Sequence, residues 1–191
     1  SFHVTGVQTC ALPISEIKTA LFPESNDSNE LIRGYKIFYK SIEPTSSPPH
    51  INFKDNSRDM KATSNLWVFG KNNNLFNEIK SQLSQYDVKI NKQGITLEGS
   101  YFKWENHSFV LALSHHNSDN KQMVWLVSPS QKSIPGLIRT LPNYGKYGYL
   151  VFKGNEPKNV AKGTWPSSRA GLDHIFTKGN YPLFQKAPLV K

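Results

Sequence analysis

Residues 121–166 read KQMVWLVSPSQKSIPGLIRTLPNYGKYGYLVFKGNEPKNVAKGTWP, and this stretch decides the fold prediction. The apolar run Met123–Val127 predicts a buried strand, and Tyr149–Phe152 predicts a second one. Between them, apolar residues recur at helical spacing and predict a short helix, Ser133–Leu141. Two apolar strands joined through a helix are typical of a right-handed parallel crossover. We therefore expect the Tyr149–Phe152 strand to be central and buried.

The residues before this stretch extend the same pattern. Leu66–Phe69 predicts a buried strand, Asn74–Gln85 a helix with an Asn N-cap, and Phe109–Leu113 a central strand. Three small strands at a sheet edge are predicted for the residues between them, at Val88–Ile90, Ile95–Leu97 and Ser100–Trp104. The predicted fold class is α/β, a small three-layer domain with a mostly parallel, flavodoxin- or Rossmann-like sheet and irregular N- and C-terminal extensions.

The chain divides into four parts by composition. Residues 4–14 read VTGVQTCALPI, which matches the translation of a common short-read sequencing adapter, so residues 1–15 are treated as an artefact that includes Cys10. Residues 16–64 are predicted to be a linker or partly ordered extension, in which Glu30–Tyr39 is either helix or strand. Residues 65–165 form the predicted α/β domain, and residues 166–191 an irregular tail.

Composition excludes some classes of protein. Apolar residues make up 37% and aromatic residues 12% of the chain, which is too much for a disordered protein. No apolar run approaches the roughly 18 residues of a membrane span, so no transmembrane segment is predicted in this fragment. The net charge is +9, but the lysines are scattered and no nucleic-acid motif is present. We expect a solvated basic surface and no specific nucleic-acid partner, with contact to an anionic polymer as the alternative.

Three loops at predicted strand ends are candidate ligand sites, because α/β proteins place ligands there. Gly70–Asn74 precedes a predicted helix, whose N-terminus could bind a phosphate. The turn lacks both G-x-G-x-x-G and G-x-x-x-x-G-K-[ST], so a plain βα turn is the preferred interpretation. Ser114–Asn120 contains His115, His116 and Asp119, which are candidate metal ligands. Adjacent histidines on an extended chain point to opposite sides, so solvated loop residues are the preferred interpretation.

The third loop, Ser128–Lys132, contains a serine after a strand. Ser128 lacks the glycines of a nucleophile elbow, and pairing it with His174 as a base would be arbitrary, so a polar strand-end serine is preferred. No H-E-x-x-H and no G-x-S-x-G is present. The sequence therefore predicts no catalytic, cofactor-binding or metal residue in this chain.

The run LPNYGKYGYLVFKG, continuing to NVAKGTWP, resembles the C-terminal region of bacterial peptidase M1-like proteins of the membrane alanyl aminopeptidase type. Asn143 and Gly148 depart from that pattern, and Ala187-Pro188-Leu189 is only similar to its Ser-Pro-Leu element. The upstream LWVFGKNNN is similar to the strand-turn that opens an accessory α/β domain in related secreted hydrolases. The matching residues are Leu141, Pro142, Tyr144, Gly145, Lys146, Tyr147, Tyr149, Leu150, Asn159, Val160, Lys162, Gly163 and Trp165.

The resemblance implies a non-catalytic C-terminal accessory domain, whose partner is the catalytic domain of the same parent chain. It implies zinc in that parent, none in this fragment, and a periplasmic or secreted location. The alternatives are a small hydrolase, associated with α/β-hydrolase esterases, or a ligand-binding α/β domain that uses the three loops.

Overall fold

A seven-stranded mixed sheet lies at the centre of the fold, with a second, three-stranded antiparallel sheet beside it. The computed structural model describes residues 19–23, 27–42, 50–51, 65–115 and 118–165, all of which fall in one compact unit. The side chains of residues 19, 50–51 and 114–121 lie outside this description. Both the adapter-like segment and the tail after Trp165 also lie outside it.

The main sheet contains seven strands, which are β1 (Thr19–Leu21), β2 (His50–Ile51), β3 (Leu66–Phe69), β7 (His107–His115), β8 (Ser118–Val127), β9 (Tyr149–Lys153) and β10 (Lys158–Gly163). The smaller sheet contains β4 (Lys89–Ile90), β5 (Gly94–Leu97) and β6 (Ser100–Lys103). The helices are α1 (Asn29–Ile42), α2 (Phe76–Ser84) and α3 (Ile134–Thr140), and 3-10 turns flank α3 at Gln131–Ser133 and Leu141–Tyr144.

The strand order of the main sheet is β10-β9-β7-β8-β3-β1-β2. Its β2-β1-β3-β8 half is parallel, while β7 pairs antiparallel with both β8 and β9, and β10 pairs antiparallel with β9. The α/β class is confirmed, whereas the mostly parallel sheet is not, and a flavodoxin-like layout is not confirmed. As the crossover prediction expects, β8 and β9 run in the same direction and are joined through α3, and β7 lies between them in the sheet.

Helices cover one face of the sheet, and a helix with the small sheet covers the other. On the first face, Tyr35 and Phe38 of α1 and Leu137 of α3 join one buried apolar cluster with the sheet. On the second, Ile79 of α2 and Ile95 of β5 join another. Apolar surface is therefore buried on both faces of the main sheet. The three small strands form this separate sheet instead of extending the edge of the main one.

The helix α1 belongs to the domain, which therefore begins before Asn65. Tyr35, Phe38 and Tyr39 are at most 1% exposed, and they recur at helical spacing toward the sheet. Ser28 accepts a hydrogen bond from the Leu31 N–H at 3.2 Å, which caps the start of the helix. The predicted extension 16–64 thus supplies β1, α1 and β2 to the fold.

The strand β9 is buried, as predicted, but it is the second strand from the sheet edge and not a central one. Trp165 closes the core beyond β10. Its ring lies 5.0 Å from the ring of Tyr149 and 4.7 Å from that of Tyr86, and its Nε1–H donates to the Ala112 carbonyl at 2.5 Å. Within the described residues, no helix is long and apolar enough to cross a membrane.

Candidate functional site

The three predicted ligand loops do not meet at one end of the strands. Since β3 and β8 are parallel, with Phe69 opposite Leu126, the loops Gly70–Asn74 and Ser128–Lys132 follow the strands at the same end of the sheet. The segment Ser114–Asn120 lies at the opposite end, because β7 runs antiparallel to β8. A site built from all three loops is therefore excluded by the strand directions.

The predicted polar loop at residues 114–120 is for the most part strand. His115 ends β7 and pairs with Ser118 at the start of β8, so the segment closes a β-hairpin. Asp119 lies in β8, and His116 lies outside the described residues. Within the part of the chain that is described, no cluster of three or more His, Cys, Asp or Glu residues is placed to hold a metal ion.

The Gly70–Asn74 segment is a βα turn held by its own hydrogen bonds. Gly70 has φ +75°, a conformation that glycine adopts without strain. Asn73 donates from Nδ2 to the Gly70 carbonyl at 2.8 Å, and its Oδ1 accepts from the Leu75 N–H at 2.9 Å. The N-cap of α2 is Leu75, which makes no side-chain capping hydrogen bond, so the predicted Asn N-cap is wrong. Asn72 Nδ2 donates to Asp27 Oδ1 at 2.6 Å. A carboxylate beside this turn opposes the binding of a phosphate.

Ser128 is buried where the end of β8 meets α1 and β7. Its N–H donates to the Tyr35 hydroxyl at 3.0 Å, and its Oγ donates to the Ser130 carbonyl at 3.0 Å and lies 3.3 Å from Ser108 Oγ. Burial raises the pKa of the Tyr35 hydroxyl, although the backbone hydrogen bond from Ser128 lowers it, so the phenol stays neutral at physiological pH. His174, which was considered as a base for Ser128, lies outside the described residues. These hydrogen bonds give Ser128 a structural role.

A basic, aromatic pocket on the surface is the strongest candidate for a ligand site. We name it the tyrosine–lysine groove. Its volume is about 420 Å³. The end of α3, the 3-10 turn after it, the turn leading to β9, and β10 together supply its lining, which consists of Arg139, Thr140, Asn143, Tyr144, Lys146, Tyr147 and Lys162.

The rings of the groove are held by packing beneath it. The Tyr144 ring meets the Phe152 ring of β9 edge-on, with centroids 5.7 Å apart, and lies 5.8 Å from the Tyr147 ring. The Gly148 N–H donates to the Gly163 carbonyl at 2.8 Å, which ties the turn before β9 to β10. This hydrogen bond fixes Lys162 beside the two tyrosines.

Positive charge concentrates over these rings. Lys162 Nζ lies 5.5 Å from the Tyr144 ring centroid and 5.1 Å from that of Tyr147, and Lys146 Nζ lies 5.4 Å from the latter. The negative faces of the rings attract both ammonium groups. Arg139 forms an exposed ion pair with Glu156 at 3.2 Å. The lining thus holds three cationic side chains and no carboxylate.

The sequence patterns predict no binding role for the residues of this groove. Tyr144, Lys146, Tyr147 and Lys162 are distinguished in the sequence only by the resemblance to aminopeptidase C-terminal regions. Tyr144 and Lys162 are 18 positions apart in the sequence, and only the antiparallel pairing of β9 with β10 brings them together. Comparison of the chain with family models, with curated proteins and with solved structures finds no match.

Proposed function

We propose that this chain is a non-catalytic C-terminal accessory domain of an M1-like zinc aminopeptidase, in a periplasmic or secreted parent. Its role is to pack against the catalytic domain of the same parent chain or to shape access to it. Zinc and the catalytic residues belong to that catalytic domain, which precedes residue 16 in the parent.

One observation supports this proposal most. Several residues that carry the resemblance, namely Tyr144, Lys146, Tyr147 and Lys162, line a single surface groove. If the resemblance to aminopeptidase C-terminal regions reflected only a shared packed core, the matching residues would all be buried. Lys146 and Lys162 match and are exposed. Their placement is typical of a surface that meets another molecule or domain.

The strand-end serine supports a non-catalytic role as well. A nucleophilic serine needs a neighbouring base to remove its proton. Ser128 Oγ instead donates to a backbone carbonyl and contacts a second serine, inside the core.

A finer description of the fold belongs to this proposal. The parallel half has the order β2-β1-β3-β8, which corresponds to the 2-1-3-4 order of flavodoxin-like sheets. We infer that this half is a flavodoxin-like unit to which β7, β9 and β10 add an antiparallel extension.

The experiment that tests a non-catalytic role is a hydrolysis assay on the full chain. Aminoacyl p-nitroanilides and p-nitrophenyl esters, with and without added zinc, should be hydrolysed no faster than in buffer alone. Turnover that Ser128→Ala abolishes would support the rival small hydrolase, and turnover that a chelator abolishes would support a metal site in this chain. Either result would refute the accessory-domain proposal.

A further inference from the structure

The tyrosine–lysine groove brings two ammonium groups to one ring. Both Lys146 Nζ and Lys162 Nζ lie within 5.4 Å of the Tyr147 centroid. Among the described residues, neither lysine forms an ion pair. Like charges gathered at one ring repel each other, and an anion bound in the groove reduces that repulsion while making charge-assisted hydrogen bonds.

The groove also presents neutral polar groups and room for a ligand. Thr140 offers a hydroxyl and Asn143 an amide at its wall. A volume of about 420 Å³ falls in the range of small-molecule sites, roughly 300–1,000 Å³. Lys162 lies over both rings and Lys146 over the Tyr147 ring, so cation–π contacts hold the two ammonium groups in place at the groove.

From this geometry we propose that the groove binds a small hydroxyl-bearing molecule that carries a phosphate monoester, as sugar phosphates do. A group with two negative charges compensates both lysines, whereas a single carboxylate leaves one of them uncompensated. The hydroxyl and amide of Thr140 and Asn143 suit the hydroxyl groups of such a molecule. This inference goes beyond the accessory role and stands whether or not that role is correct.

The test is calorimetric titration of the full chain at about 0.15 M salt, where the Debye length is about 8 Å and long-range attraction between exposed charges is screened. The probes are glucose 6-phosphate, inorganic phosphate, glucose and acetate. We expect saturable one-to-one binding of glucose 6-phosphate, weaker binding of phosphate, and no saturation with glucose or acetate.

Variants locate the site. Lys162→Ala and Lys146→Ala should each weaken glucose 6-phosphate binding by about tenfold or more, because each removes a charge-assisted hydrogen bond to the phosphate. Lys158→Ala is the matched control, since Lys158 is an exposed lysine of the same strand outside the groove. It should change the affinity by less than about twofold, as a distant screened charge does.

Three results would overturn the proposal. The first is equal loss of affinity in Lys158→Ala and Lys162→Ala, which would show a general effect of net charge. The second is the absence of saturable binding of glucose 6-phosphate; retention of the chain on a sulfated-polysaccharide column would then indicate polyanion binding only. The third is acetate binding as tight as phosphate binding. An unchanged far-ultraviolet circular dichroism spectrum in each variant shows that the measured effect is not loss of fold.

Discussion

Replacing Tyr35 by Phe tests whether α1 is an integral part of the domain. The Tyr35 hydroxyl is the acceptor for the Ser128 N–H at 3.0 Å, and Tyr35 is 0% exposed. Phenylalanine keeps the ring, which lies 5.2 Å from the Phe69 ring, and removes only the hydroxyl. The loss leaves a buried N–H without its acceptor, which costs about 1–3 kcal/mol of unfolding free energy.

Urea denaturation followed by tryptophan fluorescence measures this loss. With a slope of about 2 kcal/mol per molar urea, a loss of about 2 kcal/mol lowers the midpoint by about 1 M. Tyr101→Phe is the matched control, because Tyr101 is 43% exposed and its hydroxyl bonds to Asn91 Oδ1 at the surface, 3.3 Å away. The control should stay within about 0.5 kcal/mol of the unchanged chain. If Tyr35→Phe also stayed within that limit, residues 29–42 would not be joined to the sheet as described.

Three further predictions follow from the same contacts. Above pH 10, the ordinary pKa of tyrosine, the unfolded chain loses the Tyr35 proton while burial keeps it on the folded chain. The unfolding free energy at fixed urea should therefore fall as pH rises above 10. Tyr35→Phe should make this fall less steep by about 1.4 kcal/mol per pH unit. Equal slopes for the unchanged chain and the variant would contradict the burial of Tyr35. Trp165→Ala removes two ring contacts and the hydrogen bond to the Ala112 carbonyl. It should lower the unfolding free energy by about 3–5 kcal/mol, and a change below about 1 kcal/mol would show that Trp165 does not close the core. In Gly163→Ala, the new Cβ would overlap the Tyr149 ring and hydroxyl. Thermal denaturation should show a loss of about 1–3 kcal/mol, and an unchanged melting temperature would disprove this close packing.

The strongest sequence signals identified the strands and helices but not the strand directions. Phe109–Leu113 and Met123–Val127 are continuous apolar runs, which are typical of parallel strands covered on both faces. Both strands are indeed covered on both faces, yet they pair antiparallel through a hairpin. Burial on two faces removes the polar alternation that usually marks an antiparallel pair, so the composition of the runs could not distinguish the two arrangements.

The helix α1 was predictable from its spacing. Tyr35, Phe38, Tyr39 and Ile42 fall on one helical face, which favours the helix over the strand alternative, and Ile37 falls off that face. Ile37 is in fact 47% exposed. The tyrosine–lysine groove was not predictable in the same way, because its charges come from two segments that only the folded sheet brings together. Sequence spacing carries no information about that contact.

The central claim is that this chain belongs to a larger parent with a catalytic domain upstream, and reading the source genome upstream of codon 16 tests it most directly. The proposal predicts that the reading frame continues in place of the adapter-like residues and encodes an H-E-x-x-H zinc motif. An initiation codon directly before this position, opening a complete short gene, would contradict it.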